Sequence, residues 1–158
     1  MHILHHKFNL LDKKKVFLII NEALDLKISE QKKAANNAQE SANQESKSSA
    51  GDKYETGRAM AQNDKAMVEI QLLSSQNDKA ILSNINFDQK FDTVRLGCIV
   101  KTNIGTFVIA ISVGKILVDD ESLMVVSKES PIGKLILGRK VGEKTSFNSK
   151  EITILEIY

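Results

Sequence analysis

The stretch Glu45-Ser46-Lys47-Ser48-Ser49-Ala50-Gly51-Asp52-Lys53-Tyr54-Glu55 decides the fold of the first half of the chain. From Lys13 to Ser49 there is no Pro and no Gly, and Ala, Glu, Gln, Lys and Leu dominate. These are good helix formers. Asp12 stands where an N-cap is expected. Ile20, Leu24, Ile28, Ala35, Ala38 and Ala42 recur with a helical period. Past Ile28 that stripe is alanine alone, which predicts a slim contact. Helicity resumes after the break and runs to about Asn84. Met60, Met67, Ser74 and Ile81 fall at sevens, flanked by Ala59, Ala66, Leu73 and Ala80, an imperfect heptad. Between the arms, Gly51 allows the positive φ that a chain reversal needs. Matched arms around a short break predict an antiparallel coiled-coil hairpin over Lys13–Asn84, with Gly51 as its turn. Each arm of about 33 residues would reach about 50 Å. Asp52 and Glu55 make the tip, near residues 50–56, acidic. A kinked parallel dimer and a helical bundle are the plainer alternatives. Equal arms favour the hairpin, and an alanine stripe lacks the bulk a bundle core needs.

Composition changes after Asn84. A polar connector, Asn86 to Asp92, leads into runs rich in Val, Ile, Thr and Phe: Cys98–Lys101, Thr106–Val113, Leu123–Ser127, Thr145–Phe147 and Ile152–Tyr158. Asn103-Ile104-Gly105 reads as a hairpin turn and Asp119-Asp120-Glu121 as a polar loop. Ser130-Pro131 reads as a helix start, Ser capping and Pro at the first helical position; Gly138 stops that helix. The fold class expected is α+β, with a helical hairpin over residues 1–85 and a small antiparallel sheet carrying one short helix over 86–158.

The bulk numbers narrow the function. The 158 residues carry 22 basic and 20 acidic side chains, and 42% are apolar. Residues 1–85 hold 12 basic and 11 acidic groups, and 86–158 hold 10 and 9. Neither half is a basic block of the kind that grips duplex nucleic acid without sequence preference. A single cysteine, Cys98, excludes an internal disulfide framework and fits a reducing compartment. The longest early apolar run, Val16-Phe17-Leu18-Ile19-Ile20, is far shorter than a bilayer span. A cytoplasmic protein without a membrane partner is expected.

The stretch Glu129-Ser130-Pro131-Ile132-Gly133-Lys134-Leu135-Ile136-Leu137-Gly138-Arg139-Lys140-Val141-Gly142-Glu143 resembles the C-terminal domain of the Gre transcript-cleavage factors of bacteria. That family shows an acidic-Ser-Pro-apolar turn, a short helix, then Gly-Lys-x-Val-Gly-Asp/Glu. Val94–Val100 looks like its opening strand and Glu151–Tyr158 like its last. A long hairpin precedes this domain in the family, with Gly-Asp-x-x-Glu at its tip; here Gly51-Asp52-Lys53-Tyr54-Glu55 stands in that place.

The resemblance implies an FK506-binding-protein-like sheet domain, without isomerase activity, since the second half has no Trp and few aromatic residues to line a pocket. It implies a monomeric accessory factor, not an enzyme, that binds RNA polymerase and meets nascent RNA only indirectly. Glu129, Ser130 and Pro131 would dock on the polymerase. Asp52 and Glu55 would enter its secondary channel and help hold a magnesium ion at the polymerase's own centre, where backtracked RNA is cut. No cofactor would be held stably by the chain itself. Two carboxylates three residues apart at a helix start suit Mg²⁺, which takes one or two acids and keeps several waters. Lys53 and Arg58 beside those acids favour a second expectation, a channel-bound regulator that tunes the polymerase without cleavage. A third is a coiled-coil adaptor unrelated to transcription. On the residues alone, the tip acids also read as a first-turn dipole bias and Glu129-Ser130-Pro131 as a cap. His2, His5 and His6 read as a terminal segment, and Cys98 as a buried apolar-like residue.

Overall fold

A computed structural model describes residues 10–47 and 51–158. In chain order the elements are α1 (Leu10–Lys47), α2 (Gly51–Ser83), β1 (Ile99–Thr102), β2 (Gly105–Ala110), β3 (Gly114–Val118), β4 (Glu121–Ser127), α3 (Pro131–Ile136), β5 (Lys144–Phe147) and β6 (Lys150–Ile157). The chain divides into two compact units. One takes the start of α1 through Glu22 together with everything from Ile81 onward, and the other is Ala23–Ala80. Asp12 lies inside the first turns of α1 and does not cap it.

In the Ala23–Ala80 unit the two helices run side by side in opposite directions. Lys79 Nζ meets Asp25 Oδ1 at 2.7 Å at one end. Toward the other end, Asn37, Ala38 and Ser41 line one groove with Gly57, Met60, Ala61 and Asp64. On α1 the more buried positions are Leu24, Ile28, Gln31, Ala35, Ala38 and Ala42, spaced alternately by three and four. The stripe read from the sequence is the one used, with Gln31 filling its gap. On α2 the more buried positions are Gly57, Ala61, Lys65, Val68, Leu72 and Ser75. The heptad through Met60, Met67 and Ser74 is therefore one residue out of phase with the contact, and Met60 and Met67 are 62% and 60% exposed. One residue turns a helix by about 100°, enough to move a side chain from the seam to the flank. Apolar residues on α2 occur at both phases, so spacing alone did not choose between them.

The remaining unit is built on a six-stranded sheet of order β3-β4-β2-β1-β6-β5. The antiparallel sheet expected is in fact mixed, because β2 and β4 pair in parallel, from Thr106↔Leu123 to Ala110↔Ser127. Residues 111–113 carry the chain past the place that β4 fills. Two strand spacings are roughly 9.5 Å, within reach of so short a link. Burial explains the order. β4 buries Leu123, Val125 and Val126, so it takes the interior position. β3 exposes Lys115 and Leu117 and takes the edge, where a lysine blunts further pairing.

Two-residue turns join β3 to β4 and β5 to β6. Asp119 and Asp120 stand at φ 49° and 66°, Asn148 and Ser149 at 50° and 65°. These are the left-handed pairs that match strand twist in tight hairpins. In the β1–β2 turn, Thr102 Oγ1 donates to Gly105 O at 2.7 Å. Asn103 plugs into β6, its Nδ2 donating to Glu151 O at 2.8 Å and its Oδ1 accepting from Thr153 N at 2.7 Å. It satisfies backbone groups beside the irregularity between Lys101 and Thr102, where the β1–β6 register shifts.

Both faces of the sheet are buried. Val100, Phe107, Ile109, Val126, Ile152 and Ile154 form one core with Ile132 and Ile136 of α3. Ile99, Val108, Leu123 and Val125 point to the other side, and each is at most 1% exposed. In the same unit Val16, Phe17 and Ile20 of α1 are buried, and Phe17 stacks on Phe87 with ring centroids 5.1 Å apart. Among the described residues no helix is long and apolar enough to cross a membrane.

Candidate functional site

The residues expected to act fall in two places. Gly51, Asp52 and Glu55 occupy the first turn of α2. Gly51 is thus helical and is not the turn expected of it; residues 48–50, between α1 and α2, lie outside the described residues. The side chains of Asp52 and Glu55 are also outside them. Their backbone positions, three apart on one helix, share a face. Arg58, one turn on, is exposed.

Glu129, Ser130 and Pro131 form the corner between β4 and α3. Ser130 sits at φ −65° and ψ 155°, the extended conformation of an N-cap. Its Oγ accepts from Gly133 N at 3.0 Å and donates to Ser127 O at 2.7 Å. Pro131 follows at the first helical position, where its missing N–H costs nothing. Glu129 and Pro131 are exposed, while Ile132 and Gly133 are buried. The corner is therefore locked from inside and presents an acid and a proline ring outward, between Lys128 and Lys134, which are also exposed.

Gly133 is a residue the sequence reading passed over. A Cβ there would collide with the Ser127 carbonyl oxygen and stand 2.8 Å from Ser130 Oγ. The capping hydroxyl and the helix can approach so closely only because position 133 has no side chain. The spacing Ser-Pro-x-Gly carried that signal, since a cap bonds the backbone N–H three residues on. Arg139 was also missed. Its Nε donates to Leu135 O at 2.6 Å, near the end of α3. Just before it, Gly138 turns at φ +81° and donates its N–H to Val94 O at 2.7 Å. Val94 N in turn donates to Arg139 O at 2.9 Å, so the Gly138-Arg139 turn clamps the segment leading into β1.

The third residue missed is Lys13, only 5% exposed. Its Nζ donates to the main-chain oxygen of Tyr158 at 3.0 Å and lies 4.6 Å from the centre of the Phe91 ring. Burial pushes its pKa down from 10.5 to about 8, against the weaker pull of Cys98 and Asp88. Burial likewise pushes the Cys98 thiol up to about 11, so it is neutral and inert at ordinary pH. Lys13 shares its helical phase with Val16, Phe17 and Ile20, which was the available sign that it turns inward.

Among the described residues, no three His, Cys, Asp or Glu side chains gather as metal ligands. The corner is held by the Ser130 cap, and Lys13 ties the start of α1 to the main-chain oxygen of Tyr158. No protein-family model matches the sequence, and comparison with curated proteins finds no significant relative.

Proposed function

We propose that the protein is a Gre-like elongation factor, an accessory protein of bacterial RNA polymerase that acts in the cytoplasm and has no active site of its own. The observation that carries this reading is the pairing of two features in one chain. An antiparallel helix pair bears Gly51-Asp52-x-x-Glu55 in the first turn of its second helix, and a sheet unit bears a rigid Glu129-Ser130-Pro131 corner. In this reading the helix pair is a coiled-coil hairpin and the sheet with its short helix is FK506-binding-protein-like.

The division of labour follows from the chemistry of the two places. Glu129 and Pro131, held outward by a cap that needs no partner, suit docking on the polymerase. The hairpin is slim at Ala35, Ala38, Ala42, Gly57 and Ala61, which suits entry into a narrow channel. Asp52 and Glu55 bring two carboxylates on one helical face to the polymerase's catalytic magnesium site. There Asp52 and Glu55 would help hold a second magnesium, which would supply activation of water and stabilisation of the leaving oxygen. The residues of this chain position and neutralise; the polymerase performs the cleavage.

A second reading is supported by Lys53 and Arg58, which flank the acids and oppose cation binding. In that case the hairpin occupies the channel and slows or tunes the polymerase without cleavage. A halted, backtracked elongation complex separates the two. Added protein shortens the transcript from its 3′ end in the first reading and alters elongation with no shortened product in the second. If the protein does not bind polymerase at all, both readings fall.

A further inference from the structure

The phase of the α2 heptad has a consequence for partners. Met60, Asn63, Met67, Ile70, Ser74 and Asn77 follow one another by steps of three and four, and all six are exposed. None is charged. The charges of this stretch, Arg58, Asp64, Lys65, Glu69, Asp78 and Lys79, all fall off that line. A solvated helix face normally carries charges in such positions. An uncharged three-four line is instead the seam of a helix that meets another helix. The seam used against α1 is a different one, through Ala61, Val68, Leu72 and Ser75. Met60 rims one groove with Asn37, Ala38 and Ser41 of α1, and Ile70 and Ser74 rim another with Lys27 and Gln31, yet all six residues of the outer seam remain exposed.

We infer that this outer seam of α2 is a self-association surface whose occupant is α2 of a second copy, packed parallel and in register. Three observations select a second copy. First, the apolar area fits a weak dimer. Met60, Met67, Ile70 and Leu73 are 62%, 60%, 67% and 59% exposed. Covering them removes roughly 500 Å² per chain, or about 1,000 Å² per pair, at the lower edge of specific interfaces. Second, Asn63 and Asn77 lie two heptads apart, and in a parallel pair each meets its own equivalent. Amide side chains so paired can hydrogen-bond to each other across the seam, at some cost in stability. Third, the flanks agree with parallel packing. Ala59, Ala66 and Leu73 line one side of the seam, and Asp64, Gln71 and Asp78 the other. Parallel packing sets the apolar flank of one copy beside the acidic flank of its partner. Antiparallel packing would bring the two acidic flanks together. This inference does not depend on the polymerase reading. A chain that acts as a monomer when dilute would pair when concentrated.

The test is sedimentation velocity of the full chain from about 1 µM to about 500 µM, with a monomer–dimer constant on the order of 10–100 µM expected. Ile70→Lys should weaken pairing at least roughly tenfold while leaving the helical circular dichroism unchanged, because the residue is exposed. Oxidation by glutathione disulfide then reads the register. Asn63→Cys alone and Asn77→Cys alone should each form a disulfide-linked dimer. Mixing the two should give no 63-to-77 product, and buried Cys98 stays out of the exchange. A chain that remains monomeric at the highest concentration overturns the inference. So does a dimer indifferent to Ile70→Lys, and a 63-to-77 cross-link overturns the parallel arrangement.

Discussion

Gly133→Ala should unfold the sheet unit far more readily than its one added methyl suggests. The new Cβ would lie inside contact distance of the Ser127 carbonyl oxygen and 2.8 Å from Ser130 Oγ. Relief requires α3 to move away from the end of β4. That movement breaks the cap bond from Gly133 N to Ser130 Oγ, 3.0 Å long, and the bond from Ser130 Oγ to Ser127 O, 2.7 Å long. Each is worth about 1 kcal/mol. The same movement lifts Ile132 and Ile136 out of the core, and overpacking adjustments of that sort cost about 1–3 kcal/mol more. The sum is about 3–5 kcal/mol, a large part of the stability of a domain this size. Ser130→Ala is the control. It removes only the two side-chain bonds and should cost about 1–2 kcal/mol. Denaturant titration, with amide hydrogen exchange at Val94 and Leu137 reporting on this unit alone, measures both. If Gly133→Ala lies within about 0.5 kcal/mol of wild type, the close approach of Ser130 and α3 is not what holds the corner, and the reasoning fails.

Three further outcomes follow from named residues. Lys13 is charged in both folded and unfolded chains below about pH 8, so there its burial opposes folding in full; between about 8 and 10.5 only the unfolded chain keeps the proton, so stability should rise with pH across that window, by at most about 3 kcal/mol. Lys13→Met should flatten that rise and stabilise the fold at pH 7, since Tyr158 O still accepts from Ile99 N; thermal melts from pH 7 to 10.5 would contradict this if the mutant kept the wild-type slope. Gln31→Leu should raise the stability of the helix pair by about 1 kcal/mol, because Gln31 Oε1 is buried with no hydrogen-bond partner on the seam, and a drop in protection of the flanking amides would count against it. Glu129→Ala should leave stability within about 0.5 kcal/mol, as Glu129 is exposed, yet weaken polymerase binding in a competition assay; unchanged binding would remove it from the docking surface.

Much of the architecture was legible because local chemistry and burial agree. The alanine stripe of α1, the Ser130-Pro131 helix start and the Asn103-Ile104 turn all have a short-range cause. The sheet order did not. Phe107 to Ile111 is a continuous buried run, as expected for a strand covered on both faces, and such a run carries no sign of which neighbour pairs on either side. Gly114–Val118 has no clear strand signal of its own, because only Ser112 and Val113 separate it from that run and Ile116-Leu117-Val118 is apolar throughout although its burial alternates. The α2 contact face is one residue from the heptad through Met60, Met67 and Ser74, because apolar residues also recur at Ala61, Val68 and Leu72 and the spacing of sevens fits both lines. For the site, the corner at Ser130 was visible through its cap chemistry. Gly133 and Lys13 left only weak signs, the Ser-Pro-x-Gly spacing and a helical phase shared with Val16, Phe17 and Ile20, because their roles come from close approach between segments and from burial.

Transcript cleavage in a halted, backtracked elongation complex, with wild type beside Asp52→Ala/Glu55→Ala, tests the functional account most directly. Wild type should stimulate cleavage, and the double variant should lose about tenfold to a thousandfold in rate, each factor of ten being about 1.4 kcal/mol of transition-state stabilisation. Binding to polymerase should be nearly unchanged, because the acids act on the bound ion in the transition state, and higher magnesium should restore part of the rate. A double variant as active as wild type, or a wild type that binds and never shortens the transcript at any magnesium concentration, would contradict it.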